Sequence, residues 1–162
     1  MIPAMTVSEI ETNPAGFAAW DALHAVLVAA YAPMTGVIDP PSSMATMTLD
    51  DLINKATQED MFIARQDGIL VGCLFGQAMG EAYEVGKLAV DQAYRGQGHA
   101  RALIEAAATH ARAQGHGTLQ LYARVELTGN QQAYVRMGFT QDQTFTHPGF
   151  DRPTALIFRR AL

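Results

Sequence analysis

The sequence predicts a mixed α/β domain, a central sheet carrying helices on both faces. Three observations predict it. Asp67-Gly68 stands between two largely apolar runs and marks a β-hairpin turn. Apolar residues at spacings of three and four mark two amphipathic helices. One helix runs through Phe17, Trp20, Leu23, His24, Leu27 and Tyr31, the other through Ala100, Leu103, Ile104, Ala107 and Ala111. The elements follow the order strand, two helices, three strands, helix, strand, helix, two strands. That order fits neither an all-parallel doubly wound sheet nor a barrel.

Taken in order, Thr6 to Glu11 reads as a first strand. Asn13-Pro14 reads as a helix start, because proline is tolerated in a first turn. Pro33 ends that helix, and the Pro33–Ser43 segment, with three prolines and a glycine, reads as a loop. Thr48 and Asp51 have capping-box spacing ahead of a helix over Leu49–Ala56. Strands follow at Met61–Arg65, Ile69–Ala78 and Tyr83–Val90. Gly98–Gln114 is the clearest helix, with Gly115 placed to stop it. Thr118–Ala123 alternates as a strand does, and Gly129–Met137 is a short helix closed by Gly138. Phe139–Thr146 and Thr154–Arg159 complete seven strands.

The chain's 162 residues fit one domain, spanning 1–162, and 49% hydrophobic residues are enough for one core. A net charge of -5 argues against a broad nucleic-acid face, which needs clustered cations. The same balance weakly favours cationic small molecules through steering. The N-terminus lacks the basic-then-apolar pattern of a signal peptide. The most apolar stretch, 22–32, is too short to span a bilayer, so no membrane partner is expected. The single cysteine, Cys73, excludes an internal disulfide framework and is compatible with the cytoplasm, the expected location. The five histidines are scattered, and no metal is expected.

The chemistry concentrates where a strand, Leu88-Ala89-Val90, enters a turn with two glycines, Arg95-Gly96-Gln97-Gly98-His99-Ala100, and the turn enters the best helix. A helix N-terminus offers free N–H groups and partial positive charge. Glycines let a ligand approach, and together these features seat a pyrophosphate. Arg95 adds a full charge. Neither a P-loop nor a G-x-G-x-x-G fingerprint is present, since Arg101 stands where the third glycine would be.

Arg95 to Ala100 resembles the R/Q-x-x-G-x-G/A motif of the GNAT (Gcn5-related N-acetyltransferase) family. Leu88-Ala89-Val90 resembles that family's fourth strand. Tyr134-Val135-Arg136-Met137-Gly138-Phe139 is similar to its Y-x-x-x-G-F ending of the fourth helix. The resemblance implies a mostly antiparallel sheet of about seven strands, splayed between strands 4 and 5. It implies acetyl-CoA as co-substrate and an amine as acceptor. The pyrophosphate is expected on the amides of Arg95, Gly96, Gln97, Gly98, His99 and Ala100. The pantetheine arm is expected along the backbone of Leu88, Ala89 and Val90, with the N–H of Val90 or Leu88 facing the thioester oxygen.

By the same resemblance Tyr134 protonates the departing thiolate; the competing role is a core tyrosine. Glu84 is the first candidate for the base that deprotonates the amine, against the commoner role of a solvated strand-end glutamate. Glu126 and His147 are alternatives. His99 replaces the usual aliphatic residue and reads as a structural group or a phosphate contact. Asn130 reads as a cofactor contact or a helix cap. The Pro33–Ser43 loop and the His147–Pro153 segment are the expected acceptor walls, where Asp151 suits an ammonium and Arg152 a carboxylate. A homodimer is compatible with the resemblance, and a non-catalytic acyl-CoA sensor is the competing function.

Overall fold

The computed structural model describes residues 8–162. Thr6 and Val7, the start of the expected first strand, lie outside that range. The elements are β1 (Glu9–Thr12), α1 (Trp20–Tyr31), α2 (Leu49–Gln58), β2 (Asp60–Gln66), β3 (Ile69–Met79), β4 (Ala82–Val90), α3 (His99–Ala113), β5 (Thr118–Arg124), α4 (Thr128–Arg136), β6 (Thr140–Phe145) and β7 (Ala155–Ala161). They form one seven-stranded sheet ordered β1-β2-β3-β4-β5-β7-β6. Every pairing is antiparallel except β4 with β5.

Two cores lie on the two faces. Leu103, Ile104, Ala107 and Ala111 of α3 pack with Phe62, Val71, Tyr83 and Leu119 on one face. Leu23 and Leu27 of α1 and Leu52 of α2 pack with Ile63, Cys73 and Phe75 on the other. Gly76 is dictated by the first core's edge: a Cβ there would lie 2.4 Å from the Tyr83 ring.

One helix start differs from expectation. α1 begins at Trp20, not at Asn13-Pro14. Asn13 takes a left-handed φ of 47° and is used by the sheet instead. Its Oδ1 accepts from the Met61 N–H at 2.8 Å, and its Nδ2 donates to Asp60 Oδ1 at 2.9 Å. These bonds tie the end of β1 to β2 and leave the next residues to turn. The capping box of Thr48 and Asp51 forms as expected, with side chain-to-backbone bonds of 3.1 and 2.9 Å.

Two irregularities in β4 create the site. Cys73 opposes Ala89 and Phe75 opposes Gly86, so β4 takes three steps where β3 takes two. This bulge holds Lys87 at φ 55° and bends the strand. Pairing with β5 then ends after Ala82, Tyr83 and Glu84, while β5 stays paired with β7 along its whole length. Beyond Glu84 the two parallel strands diverge.

Candidate active site

The turn after β4 is built to receive an anion. Gly96 and Gly98 take φ of 76° and 87°, and nothing lies within 4 Å of where their Cβ atoms would be. Glycine is therefore required by backbone conformation, and the space it leaves is open. Gly98 is the N-cap of α3, so the N–H groups of the first turn have no intrahelical acceptor. Arg95, Ala100, Arg101 and Arg136 line the same hollow. Arg101 and Arg136, 35 residues apart in the chain, are not marked out by the sequence motif. Gln97 is exposed in the turn. The His99 side chain, 1% exposed, is not available to a phosphate. Its Nδ1 bonds Ser8 Oγ at 2.5 Å and its Nε2 bonds Gln66 Oε1 at 2.7 Å, leaving only its backbone N–H toward the turn.

From this seat the free edge of β4 leads into the gap. Asp91 donates its N–H to Val71 O on β3 at 2.7 Å. Alternation then turns the peptide groups of Val90 and Leu88 to the opposite edge, where β5 has left. Arg95 Nε reaches Val90 O there at 3.5 Å. The Ala89 and Leu88 side chains belong to the core faces, so this edge offers backbone alone. The open glycine turn, the unpaired helix N-terminus, three arginines and the free strand edge fit a pyrophosphate followed by an extended arm.

The gap between the diverging strands is a slot lined by Tyr31, Lys87, Arg124, Asn130, Tyr134 and His147, among others. Tyr31 comes from α1 and Tyr134 from α4, on opposite faces of the sheet, and each lies within electrostatic reach of the other. Burial pushes the Tyr134 phenol up to about 12 and raises that of Tyr31 further. Burial, helped by the charges of Lys55 and Arg124, lowers the Lys87 ammonium to about 8. Asn130 lies in the first turn of α4, which begins at Thr128 without a side-chain cap, so Asn130 does not cap the helix.

A protein-family model, the acetyltransferase (GNAT) family, matches residues 20–139. The chain belongs to the GNAT family. No curated protein sequence matches it. Among solved structures it is similar to the PaiA N-acetyltransferase of Thermoplasma acidophilum in complex with coenzyme A. That likeness has a TM-score of 0.78 and 14% identity, covering 95% of this chain and 99% of the other. A GNAT acetyltransferase of Elizabethkingia anophelis with acetyl-CoA bound gives 0.66 at 16%, covering 96% and 98%. The ribosomal-protein-S18-alanine N-acetyltransferase of Escherichia coli gives 0.65 at 19%, covering 96% and 94%. At these identities the likeness is one of fold.

Within the GNAT frame the candidate bases are placed differently. Glu84 sits on the last paired rung of β4 and β5, accepts from Gln120 Nε2 at 3.1 Å, and does not line the slot. Glu126 accepts the Asp39 N–H at 3.2 Å and is also outside the lining. His147 lines the slot. Its Nδ1 and its backbone N–H both bond Thr154 Oγ1, at 2.5 and 3.0 Å. That hydroxyl also lies 3.2 Å from Phe145 O, which accepts the Thr154 N–H at 2.8 Å. Desolvation first, then the nearby charge of Arg124, lower the His147 pKa below its ordinary 6.5.

The two expected acceptor walls meet. Arg124 donates to Pro40 O at 2.7 Å and Pro41 O at 3.5 Å, pinning the loop after α1 to the end of β5. Arg152 pairs with Asp39 at 3.8 Å, both exposed, an interaction that water screens. Asp151 is exposed and does not line the slot. Cys73 is fully buried, its thiol pushed up to about 12, and serves as core. No helix among the described residues is long and apolar enough to cross a membrane.

Proposed function

We propose that this protein transfers the acetyl group of acetyl-CoA to a primary amine by direct attack in a ternary complex, with Tyr134 as general acid and His147 as general base. The observation that carries the reading is the splay of β4 from β5, which joins the anion seat at α3 to a slot holding a protonated phenol and a neutral imidazole. The Elizabethkingia neighbour with acetyl-CoA bound and the Thermoplasma neighbour with coenzyme A support the choice of donor.

Acetyl-CoA supplies an activated acyl group as a thioester. The amides of Gly96 to Ala100, with Arg95, Arg101 and Arg136, hold its pyrophosphate. The free N–H of Val90 or Leu88 stabilises charge developing on the thioester oxygen. His147 removes a proton from the amine, since a lone pair is needed for attack. Its standing over Glu84 rests on lining the slot and on a lowered pKa, which keeps the imidazole neutral near pH 7. Tyr134, whose raised pKa keeps its proton, delivers that proton to sulfur. The new bond is carbon–nitrogen, the broken one carbon–sulfur, and the products are an amide and a free thiol.

Calorimetric titration of acetyl-CoA, with adenosine diphosphate as control, is the test. Micromolar or tighter binding of acetyl-CoA with little for the control is expected. A folded protein that binds neither ends this reading, including its sensor variant.

A further inference from the structure

We infer that the acceptor is an apolar α-amino acid, its carboxylate held by Lys87 and Arg124 and its side chain seated in the hollow beneath the loop after α1. The inference rests on the acetyl-transfer reading and specifies its second substrate.

The slot is cationic although the chain as a whole carries a net charge of -5. Lys87 and Arg124 both line it, and among the described residues no carboxylate does. Neither cation forms an ion pair among the described residues. Lys87 Nζ donates to Ser43 Oγ at 2.5 Å and lies 5.3 Å from the centre of the Tyr31 ring. Among the described residues the Arg124 side chain is engaged only by the carbonyls of Pro40 and Pro41. Asp39 and Glu126 lie within electrostatic reach of Arg124, and Glu59 within that of Lys87, but all three stand outside the slot. A half-buried ammonium whose direct partners are neutral is incomplete: desolvation disfavours its charge unless a bound anion offsets it. The depressed Lys87 pKa is the signature of that cost.

A second hollow of about 280 Å³ adjoins the slot and shares Tyr31, Met34, Ile38 and Ser42 with it. Its remaining lining includes Val28, Met44 and Ala45, an apolar surface. A ligand filling both must carry a negative group beside an apolar one, with an amine between them and His147. An α-amino acid has that arrangement. The two cations also help chemically: like charge disfavours an ammonium and favours the neutral amine that attacks. The same field opposes acceptors that carry only positive charge.

The test uses the intact protein and acetyl-CoA, with thiol release as readout. The acceptors are L-leucine, L-methionine and L-phenylalanine, their carboxamides, and cadaverine. The expected result is kcat/KM at least ~10-fold higher for the acids than for the amides, the scale of a charge-assisted hydrogen bond. That preference would run against intrinsic reactivity, since the amides carry the less basic amine. Lys87→Met should raise the KM for the acids and shrink the acid-over-amide ratio. Amides or cadaverine matching or exceeding the acids overturns the inference while leaving acetyl transfer intact. Should no amine turn over, L-leucine is titrated calorimetrically into the coenzyme A complex; saturable binding supports the carboxylate site, and absence of heat overturns it. Failure to bind acetyl-CoA removes both readings together.

Discussion

The Thr154 hydroxyl and the His147 imidazole form a pair that fixes the orientation of the ring, Oγ1 meeting both Nδ1 and the His147 backbone N–H. Thr154 Oγ1 has one hydrogen and two candidate acceptors, His147 Nδ1 at 2.5 Å and Phe145 O at 3.2 Å, and Phe145 O already accepts the Thr154 N–H at 2.8 Å. With Oγ1 bound at Nδ1 in either tautomer, Nε2 has no partner among the described residues; service as the base requires the tautomer with its proton on Nδ1, in which the hydroxyl donates to Phe145 O. Thr154 is fully buried and held by its place just before β7, so the ring's orientation is set by the sheet.

Two substitutions test this pair. His147→Gln is expected to lower kcat by ~10²-fold, within the usual range for a general base, and to abolish the acid limb of the pH profile. In the parent that limb should lie below pH 6.5, because the folded pKa is lowered and activity requires the neutral ring. Thr154→Val should lower kcat about tenfold and move the same limb, since it removes the hydroxyl that orients the ring and bonds its Nδ1. An unmoved limb in both variants would return the base role to Glu84 or water.

Tyr134 tests the other proton. Its phenol, pushed up to about 12 by burial, stays protonated throughout the working range. Tyr134→Phe keeps the ring contacts with Phe139 and Phe158, at 6.1 and 6.2 Å between centres. The expected outcome is a fall in kcat of ~10²-fold with little change in the calorimetric affinity for acetyl-CoA. An unchanged kcat would remove the general-acid role.

Lys87 couples function to stability. Its ammonium titrates at about 8 when folded and at 10.5 when not. Above pH 10.5 the group is neutral in both states and burial carries no charge penalty. As pH falls toward 8 the unfolded chain takes up the proton first, so stability is lost across that window and stays lower beneath it. Lys87→Met removes the charge while keeping the stem and the φ of 55°. Thermal melts should show the variant more stable by about 1 kcal/mol near pH 7, with the advantage fading by pH 10. An advantage that does not depend on pH would show that the gain comes from packing rather than from desolvation.

The parts of the molecule legible in the sequence are those whose chemistry is contiguous. The Asp67-Gly68 hairpin is local, with φ of 52° and 78° at its two residues, and so is the capping box of Thr48 and Asp51. The strand–turn–helix from Leu88 to Ala100 is likewise one piece of chain. The slot is not: Tyr31, Lys87, Arg124, Asn130, Tyr134 and His147 come from five separate segments, only Asn130 and Tyr134 sharing one. Lys87 has the sequence setting of an ordinary strand residue, and the bulge between the Cys73 and Phe75 rungs turns it into the gap. Tyr31 falls on an apolar helix stripe, which conceals its hydroxyl. Asn13-Pro14 has the pattern of a helix start, yet the Asn13 side chain bonds β2, a partner 47 residues away, instead of capping α1.

The anion seat yields the sharpest separation of conformation from charge. Gly98 caps α3 at φ 87°, and a methyl group placed there would find nothing within 4 Å. Gly98→Ala therefore meets no clash and carries only the left-handed strain of an L residue, about 1–2 kcal/mol. Gly98→Glu carries that same strain and adds a carboxylate at the site of the pyrophosphate. The two variants should melt within a few degrees of each other, yet only the glutamate should weaken acetyl-CoA by ~100-fold or more, through charge repulsion and loss of the open space. Raising the salt concentration should recover part of that loss, because screening shortens the reach of the added charge. Equal affinities for the two variants, with both folded, would move the pyrophosphate away from this turn.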